Sequence, residues 1–288
     1  MLLAAEQSRT GVANSKSRSD SGFFKYHQTA YMIHEVISPC EALKDLISHF
    51  WVGTWDTTSQ KPHTTYYVVA NSLTEIIFAF NGNHPAADLL FSAVQGHTHR
   101  PNQFTVDGFY HLIGVSFYSH AIPRLFNIPA SELNNAFISL DTFLGQEGVI
   151  LNEKIALAQN TPQRIELLSA CFMAMLKKPQ LEDSLISRAI KTIRNSNGKT
   201  KIEDLANTFC LSQKQFNRRF KAFSGFNPKT YSRIIRFESV IQTYPHTANL
   251  TETAYAHDYY DQAHFIHEFK SFTGFAPGDF WKLGEAQH

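Results

Sequence analysis

The chain of 288 residues is 43% apolar and 13% aromatic, enough to bury a large core and long enough for two globular units. Its longest apolar stretches fall far short of the ~20 residues a membrane helix needs, and the opening MLLAAEQSRT lacks the basic lead and apolar core of a secretion signal, which predicts a cytoplasmic protein with no membrane contact. The net charge of +1 excludes a uniformly basic or acidic protein, yet residues 185–236 carry twelve Lys/Arg against Glu203 and Asp204.

Residues 1–24 are rich in Ser, Arg and small side chains without periodicity, the composition of a disordered leader. Residues 25–146 read as a β-rich domain. HTTYYVVA, LTEIIFAF and GFYHLIGVSFY are β-branched and aromatic, and Asn81-Gly82 follows the second as a turn signal. His111, Ile113, Val115 and Phe117 alternate with Tyr110, Leu112, Gly114 and Ser116, which fits a strand with one face buried. Over residues 147–179 the period changes to that of linker helices. Ile165, Leu168, Phe172 and Met175 recur at three and four, giving a helix that stops before Lys177, Lys178 and Pro179. That helix packs on its own β-domain or pairs with a second copy. Cys40, Cys171 and Cys210 have no CxxC spacing, which fits reduced thiols acting as small core residues rather than disulfides or a zinc site.

Residues 180–288 contain one block twice. FKAFSGFNPKTY at 220–231 and FKSFTGFAPGDF at 269–280 share Phe, Lys, Phe, Gly, Phe and Pro at a constant offset of 49. Phe216, Phe220 and Phe223, like Phe265, Phe269 and Phe272, are spaced four and three, so each set lines one stripe of a helix. Each helix opens at a capping residue, Ser212 with Gln215 completing a capping box and Asp261 at the matching place. Each closes at Gly225 or Gly274, which enters a left-handed turn at little cost, with Pro228 or Pro277 beyond. Shorter helices precede them in TKIEDLANTF and NLTETAYAH, where Thr200 with Glu203 and Asn249 with Glu252 predict capping boxes. A short helix, a tight turn and a second capped helix make a helix-turn-helix, whose second helix fits the major groove of DNA. Between the units, PKTYSRIIRFESVIQTY reads as a helix of about 15 residues or ~22 Å, ending before Pro245. The basic balance of +10 over residues 185–236 suits a polyanion binder, because neutralised phosphates release counterions; a solvated charged face is the plain alternative. Residues 237–288 reverse the sign to −5.

Residues 184–283, with IEDLANTFCLSQKQFNRRFKAFSGFNPKTYSRIIRFESV followed by LTETAYAHDYYDQAHFIHEFKSFTGFAPGDFW, resemble the DNA-binding domain of the AraC/XylS transcription regulators. The upstream FWVGTWD, GVSFY and LFNIPASEL are similar to the sensing or dimerising domain of such regulators, often a cupin-like β-fold with trailing helices. The resemblance implies an α+β chain in which a cupin-like β-rich domain with trailing helices precedes an all-α domain of two helix-turn-helix units joined by a long helix. It implies promoter DNA as partner, activation as the usual outcome, and a small-molecule effector, a homodimer and RNA polymerase as further partners.

On the first recognition helix the face opposite the Phe stripe offers Gln213, Lys214, Asn217, Arg218 and Lys221, amides that read base edges and cations that reach phosphate or guanine. Arg218 matches an Arg usual in the family. Arg236 matches another, which holds the two units together or contacts the DNA backbone. For any one of these, solvated surface is the alternative. The second unit departs from the pattern: His267 stands where the family usually has Arg and Glu268 where an apolar residue is usual. Both turns also lack the customary Gly, with Cys210 in the first and Asp258 in the second. Gln262 and His264 remain as base contacts with His267. The expectation is an asymmetric reader in which the first unit supplies most of the affinity, or a relative whose second unit binds a protein.

In the β-domain, His97 and His99 have the HxH spacing of cupin metal sites, with His111 or His120 to complete the set. Gln103 stands where such a site wants a carboxylate, so surface or hydrogen-bonded histidines are the plainer reading and no metal or cofactor is expected. Trp51, Tyr67, Phe78 and Phe80, with Trp55, Tyr66, Tyr110 and Phe117, can line an apolar effector pocket; sandwich core is the alternative for each. GxSxG, Walker, HExxH and GxGxxG motifs are absent. An enzyme is therefore not expected, and a cupin-like metalloenzyme ranks last.

Overall fold

A computed structural model describes residues 32–56, 64–82, 88–106, 108–178, 181–243 and 249–285. The leader, Pro179 and Pro245 lie outside them, as does the side chain of Tyr66. The front half holds the strands β1 (Met32–Ile37), β2 (Ile47–Asp56), β3 (Thr64–Val68), β4 (Leu73–Asn81), β5 (Leu89–Gln95), β6 (Asn102–Val106) and β7 (Phe109–Tyr118), and, beyond a short helix, β8 (Phe137–Ser139). They form a six-stranded sheet in the order β1-β2-β7-β4-β5-β8 and a two-stranded sheet of β3 and β6, with every pairing antiparallel. That short helix is α1 (Ala121–Phe126); the short α2 (Leu140–Leu144) and the longer α3 (Gln146–Leu157) and α4 (Thr161–Met175) come after β8.

Side chains alternate across a strand, and the large sheet is covered on both faces. On one, Phe50, Ile76, Phe78, Phe80, Ile113, Val115 and Phe117 share a core with residues of α1 to α4. On the other, Trp51, Trp55, Ile77, Ala79 and Leu112 cluster with Val68. The alternation in β7 thus separates two cores, not core from solvent as the sequence suggested. Gly114 makes room for the second, since a Cβ there would stand 2.1 Å from the Trp51 indole. The α4 stripe lies on its own sheet, with Phe172 meeting Phe117 edge-on at 5.0 Å. Cys40 and Cys210 are exposed and Cys171 is half-buried, so the expectation of core cysteines does not hold.

The remaining helices are α5 (Ser184–Asn195), α6 (Ile202–Thr208), α7 (Gln213–Ser224), α8 (Pro228–Thr243), α9 (Leu250–Ala256), α10 (Gln262–Thr273) and α11 (Pro277–Glu285). Phe216, Phe220, Phe265, Phe269 and Phe272 are buried in one core with Ile234, Phe237, Val240 and Ile241 of α8, so the long connecting helix is the common floor of both units. Ser212 and Gln215 form the reciprocal box at the start of α7. Asp261 accepts from the His264 backbone N–H at 2.7 Å. Gly225 and Gly274 take φ of 79° and 83°. Even the exits repeat, because Ser224 and Thr273 each bond the backbone N–H and C=O two residues on.

Two local details differ between the units or from expectation. Thr200 does not cap α6; its hydroxyl bonds Ser196 at 2.7 Å, and Lys201 occupies the cap without a side-chain bond. In the turns, Cys210 and Asp258 are the left-handed residues, at φ 52° and 56°, and Leu211 and Tyr259 then bond Ala206 and Ala254 in the same way. The second turn therefore inserts Tyr260 before its cap. Among the described residues no helix is long and apolar enough to cross a membrane.

Candidate nucleic-acid interface

The α7 stripe that buries Phe216 and Phe220 leaves the opposite side in water, where Gln213, Lys214, Asn217, Arg218 and Lys221 are all exposed. Among the described residues Lys214, Arg218 and Lys221 make no ion pair. Most other cations of the basic segment already face an acid or an aromatic ring of the protein itself. Arg219 grips Asp183 through two hydrogen bonds of 2.6 and 2.7 Å. Lys191 reaches Asp45 at 2.9 Å and Lys199 reaches Asp258 at 3.7 Å. Arg194 lies 4.1 Å over the Tyr118 ring. Folding thus gives about half of the local cations partners within the chain and leaves three of the rest together on one helix face, the geometry a phosphate-lined groove requires.

Arg236 is turned inward. Its guanidinium lies 4.7 Å over Tyr259 and donates to Glu268 at 3.4 Å, while Arg233 donates to the same carboxylate at 2.5 Å. Of the two roles the sequence left open for Arg236, this geometry favours holding the units together. It also accounts for the acid at position 268: a carboxylate only 2% exposed is held by two cations from α8, a paired burial rather than a surface repulsion.

The second recognition helix, α10, presents a different surface. His264, His267 and Lys270 are exposed, but the Gln262 amide oxygen already accepts from the Thr251 hydroxyl at 2.8 Å. Beside them stand two aromatic residues that the sequence reading passed over, Tyr260 at 86% and Tyr255 at 63% exposure. The signal was available for Tyr260, since the second turn is one residue longer and Tyr260 is that residue.

The front-domain candidates fall into two groups on opposite faces of the sheet. Trp51 belongs to one face of the large sheet and Phe78 and Phe80 to the other, all three fully buried, while Tyr67 stacks edge-on with Phe275 at 5.1 Å. Around Trp51 lie Trp55 and Tyr110, as the sequence proposed, with Ile77 and Ala79 in place of Phe78 and Phe80. The strand register adds a polar row on the Trp51 face, His49, Ser116, Glu75 and Gln95 across four strands, with Ser116 donating to Glu75 at 2.7 Å. His97 and His99 converge on the Phe226 ring, at 4.7 and 6.1 Å. Burial pushes the His97 imidazole down to about 3, and His99 pushes it the same way. No group of three His, Cys, Asp or Glu suited to a metal occurs among the described residues. His120 is buried and bonds the Asp45 carbonyl at 2.8 Å.

Comparison with known proteins adds two matches. Residues 205–282 match the family described as helix-turn-helix domain, and residues 35–139 match a domain of unknown function, DUF6597. No curated protein matches the chain. Among solved structures the chain is similar to ToxT of Vibrio cholerae, at 12% identity and a TM-score of 0.48 over 81% of this chain and 98% of that one. Two liganded forms of ToxT are also similar. That bound to (E)-4-(8-methylnaphthalen-1-yl)but-3-enoic acid gives 11% and 0.47 over 82% and 99%, and that bound to an unsaturated fatty acid gives 12% and 0.46 over 81% and 95%.

Proposed function

From the premise that residues 205–282 are an AraC-type helix-turn-helix domain, we propose that the protein is a sequence-specific DNA-binding transcriptional regulator acting at promoters. The observation that carries this is the exposed set Gln213, Lys214, Asn217, Arg218 and Lys221 on a doubly capped helix, while Arg194, Arg219, Arg233 and Arg236 are engaged by other groups of the chain. The helix enters the major groove, the amides read base edges and the cations neutralise phosphates. A second helix follows on the same floor, so one chain covers two groove segments about one turn, ~34 Å, apart. The front domain modulates this occupancy through dimerisation, an effector or contact with RNA polymerase. An effector that uses the Trp51 face meets aromatic walls and the polar row of His49, Ser116, Glu75 and Gln95.

A second reading, that the second unit binds a protein, draws on the exposed Tyr255 and Tyr260 and the scarcity of cations on α10. One titration separates the two. The full chain is used to enrich 40-base-pair duplexes from a random pool, and binding to them is followed by anisotropy at rising salt. If Lys214, Arg218 and Lys221 each meet a phosphate, log K falls against log salt with a slope of roughly −3. A chain that enriches no duplex in dilute buffer overturns the regulator reading.

A further inference from the structure

The ends of both recognition helices rest on one piece of the front domain. Two of its segments lie side by side, joined where the Asn71 N–H donates to the Thr98 carbonyl at 2.9 Å. At the exit of α7, the His97 ring packs on Phe226, and a Cβ on Gly225 would stand 1.7 Å from His97 Nε2. At the exit of α10, the Ala70 N–H donates to the Phe272 carbonyl at 2.9 Å, the Tyr67 ring meets Phe275, and Pro101 lies 3.8 Å from a Cβ placed on Gly274. Between them, Ser72 gives its backbone N–H and its hydroxyl to the buried carboxylate of Glu238 on α8, at 2.6 and 3.0 Å.

These contacts are repeated in kind. Gly225 and Phe226 correspond to Gly274 and Phe275 at the offset of 49, so the front domain touches equivalent points of the two units and the helix joining them. Val69, Ala70 and Leu73 belong to the same buried core as both Phe stripes. A tethered neighbour would not need this: a linker leaves its two domains separate cores, whereas a shared core transmits displacement.

We propose that residues 67–73 and 97–101 form a wedge that sets the separation of the two recognition helices, with His97 and Tyr67 as its positioning residues. The inference rests on the DNA-binding reading above and adds what fixes the spacing of the two reading heads. His97 acts through Gly225. The cap needs glycine for its left-handed φ of 79°, and it also needs glycine because the imidazole occupies the place of a side chain. Any movement of the wedge, whatever causes it, then reaches both heads together.

The test uses the full chain and duplexes that it enriches from a random 40-base-pair pool, with melting temperature as the folding control. In Gly225→Ala the new methyl displaces the end of α7 from the wedge, so affinity for the wild-type duplexes falls at least tenfold. Adding His97→Ala to that variant removes the obstruction and recovers part of the loss, the strain of a left-handed alanine remaining. Single His97→Ala and Tyr67→Ala chains, which introduce no clash, enrich duplexes in which the separation between the two protected segments is changed or no longer fixed. A residue that merely stabilises the fold would lower the melting temperature and leave that separation as in the wild type. If the losses from Gly225→Ala are the same with and without His97, or if all folded variants keep the wild-type separation, the wedge is wrong while the DNA reading stands. A wild-type chain that enriches nothing removes the DNA reading and the wedge with it.

Discussion

Arg233 donates to Glu268 at 2.5 Å across the boundary between the connecting helix and the second recognition helix, and Arg236 reaches the same carboxylate from one turn further along α8. Glu268 is 2% exposed. Removing a buried partner leaves cations without their counter-charge, at a cost of about 3 kcal/mol. Glu268→Ala is therefore expected to destabilise the second unit by roughly that amount in urea unfolding, and Glu268→Gln by less because it keeps one acceptor. An unchanged midpoint for Glu268→Ala would mean that the three-way contact contributes nothing.

The unequal cation content of the two heads has its own signature. Arg218→Ala removes one phosphate contact and is expected to reduce the salt slope of DNA binding by about 0.9 as well as the affinity. His267→Ala is expected to leave the slope almost unchanged and to lower affinity less. Equal losses of slope from the two variants, measured by anisotropy on the same duplex, would count against an asymmetric reader.

What the sequence made legible follows from how local the cause is. The Phe stripes, the cap of Ser212 and the left-handed exits at Gly225 and Gly274 depend on neighbours within a turn or two, and the structure contains them. Thr200 failed as a cap because the helix begins one residue later, at Ile202, and the Thr200 hydroxyl turns back to donate to Ser196. The large sheet was harder, since the alternation in β7 is the same whether its second face meets water or Trp51. The placing of cations was least legible. Nothing in the spacing shows that Arg219 meets Asp183 while adjacent Arg218 stays in water, because that depends on where α5 crosses α7. The same distance effect hid the meeting of His97 with Gly225.

Asp183 serves two elements at once. Its carboxylate caps α5 by accepting from the Ile186 N–H at 3.2 Å and receives both hydrogen bonds of Arg219 from α7. Asparagine caps a helix nearly as well but has no charge for the guanidinium. Asp183→Asn is expected to cost about 1 kcal/mol and Asp183→Ala about 2 to 3 kcal/mol in chemical unfolding, with a double substitution including Arg219→Ala showing that the losses are not additive. Equal costs for the two single variants would assign the whole effect to the Arg219 pair and none to the cap.

Acid should weaken the fold through histidines buried in their neutral form. Burial pushes His97 down to about 3. It pushes His120 down to about 4, against the opposing bond to the Asp45 carbonyl and with help from Arg194, Lys191 and Arg124. Both folded values lie below the ordinary imidazole value near ~6.5, so the unfolded chain takes up protons that the native state refuses. The contribution is complete above about pH 6.5 and is lost as pH falls toward the folded values. Between pH 7 and pH 5 each histidine removes roughly 2 kcal/mol of stability. Glu238, which burial pushes upward, works in the opposite direction, because the folded protein then holds a proton that the unfolded one releases. The comparison must therefore be between chains: His120→Gln, whose amide can still donate to the Asp45 carbonyl, is expected to lose about 2 kcal/mol less than the wild type between pH 7 and pH 5 in urea titrations. Parallel losses in the two chains would show that His120 is not held neutral by the fold.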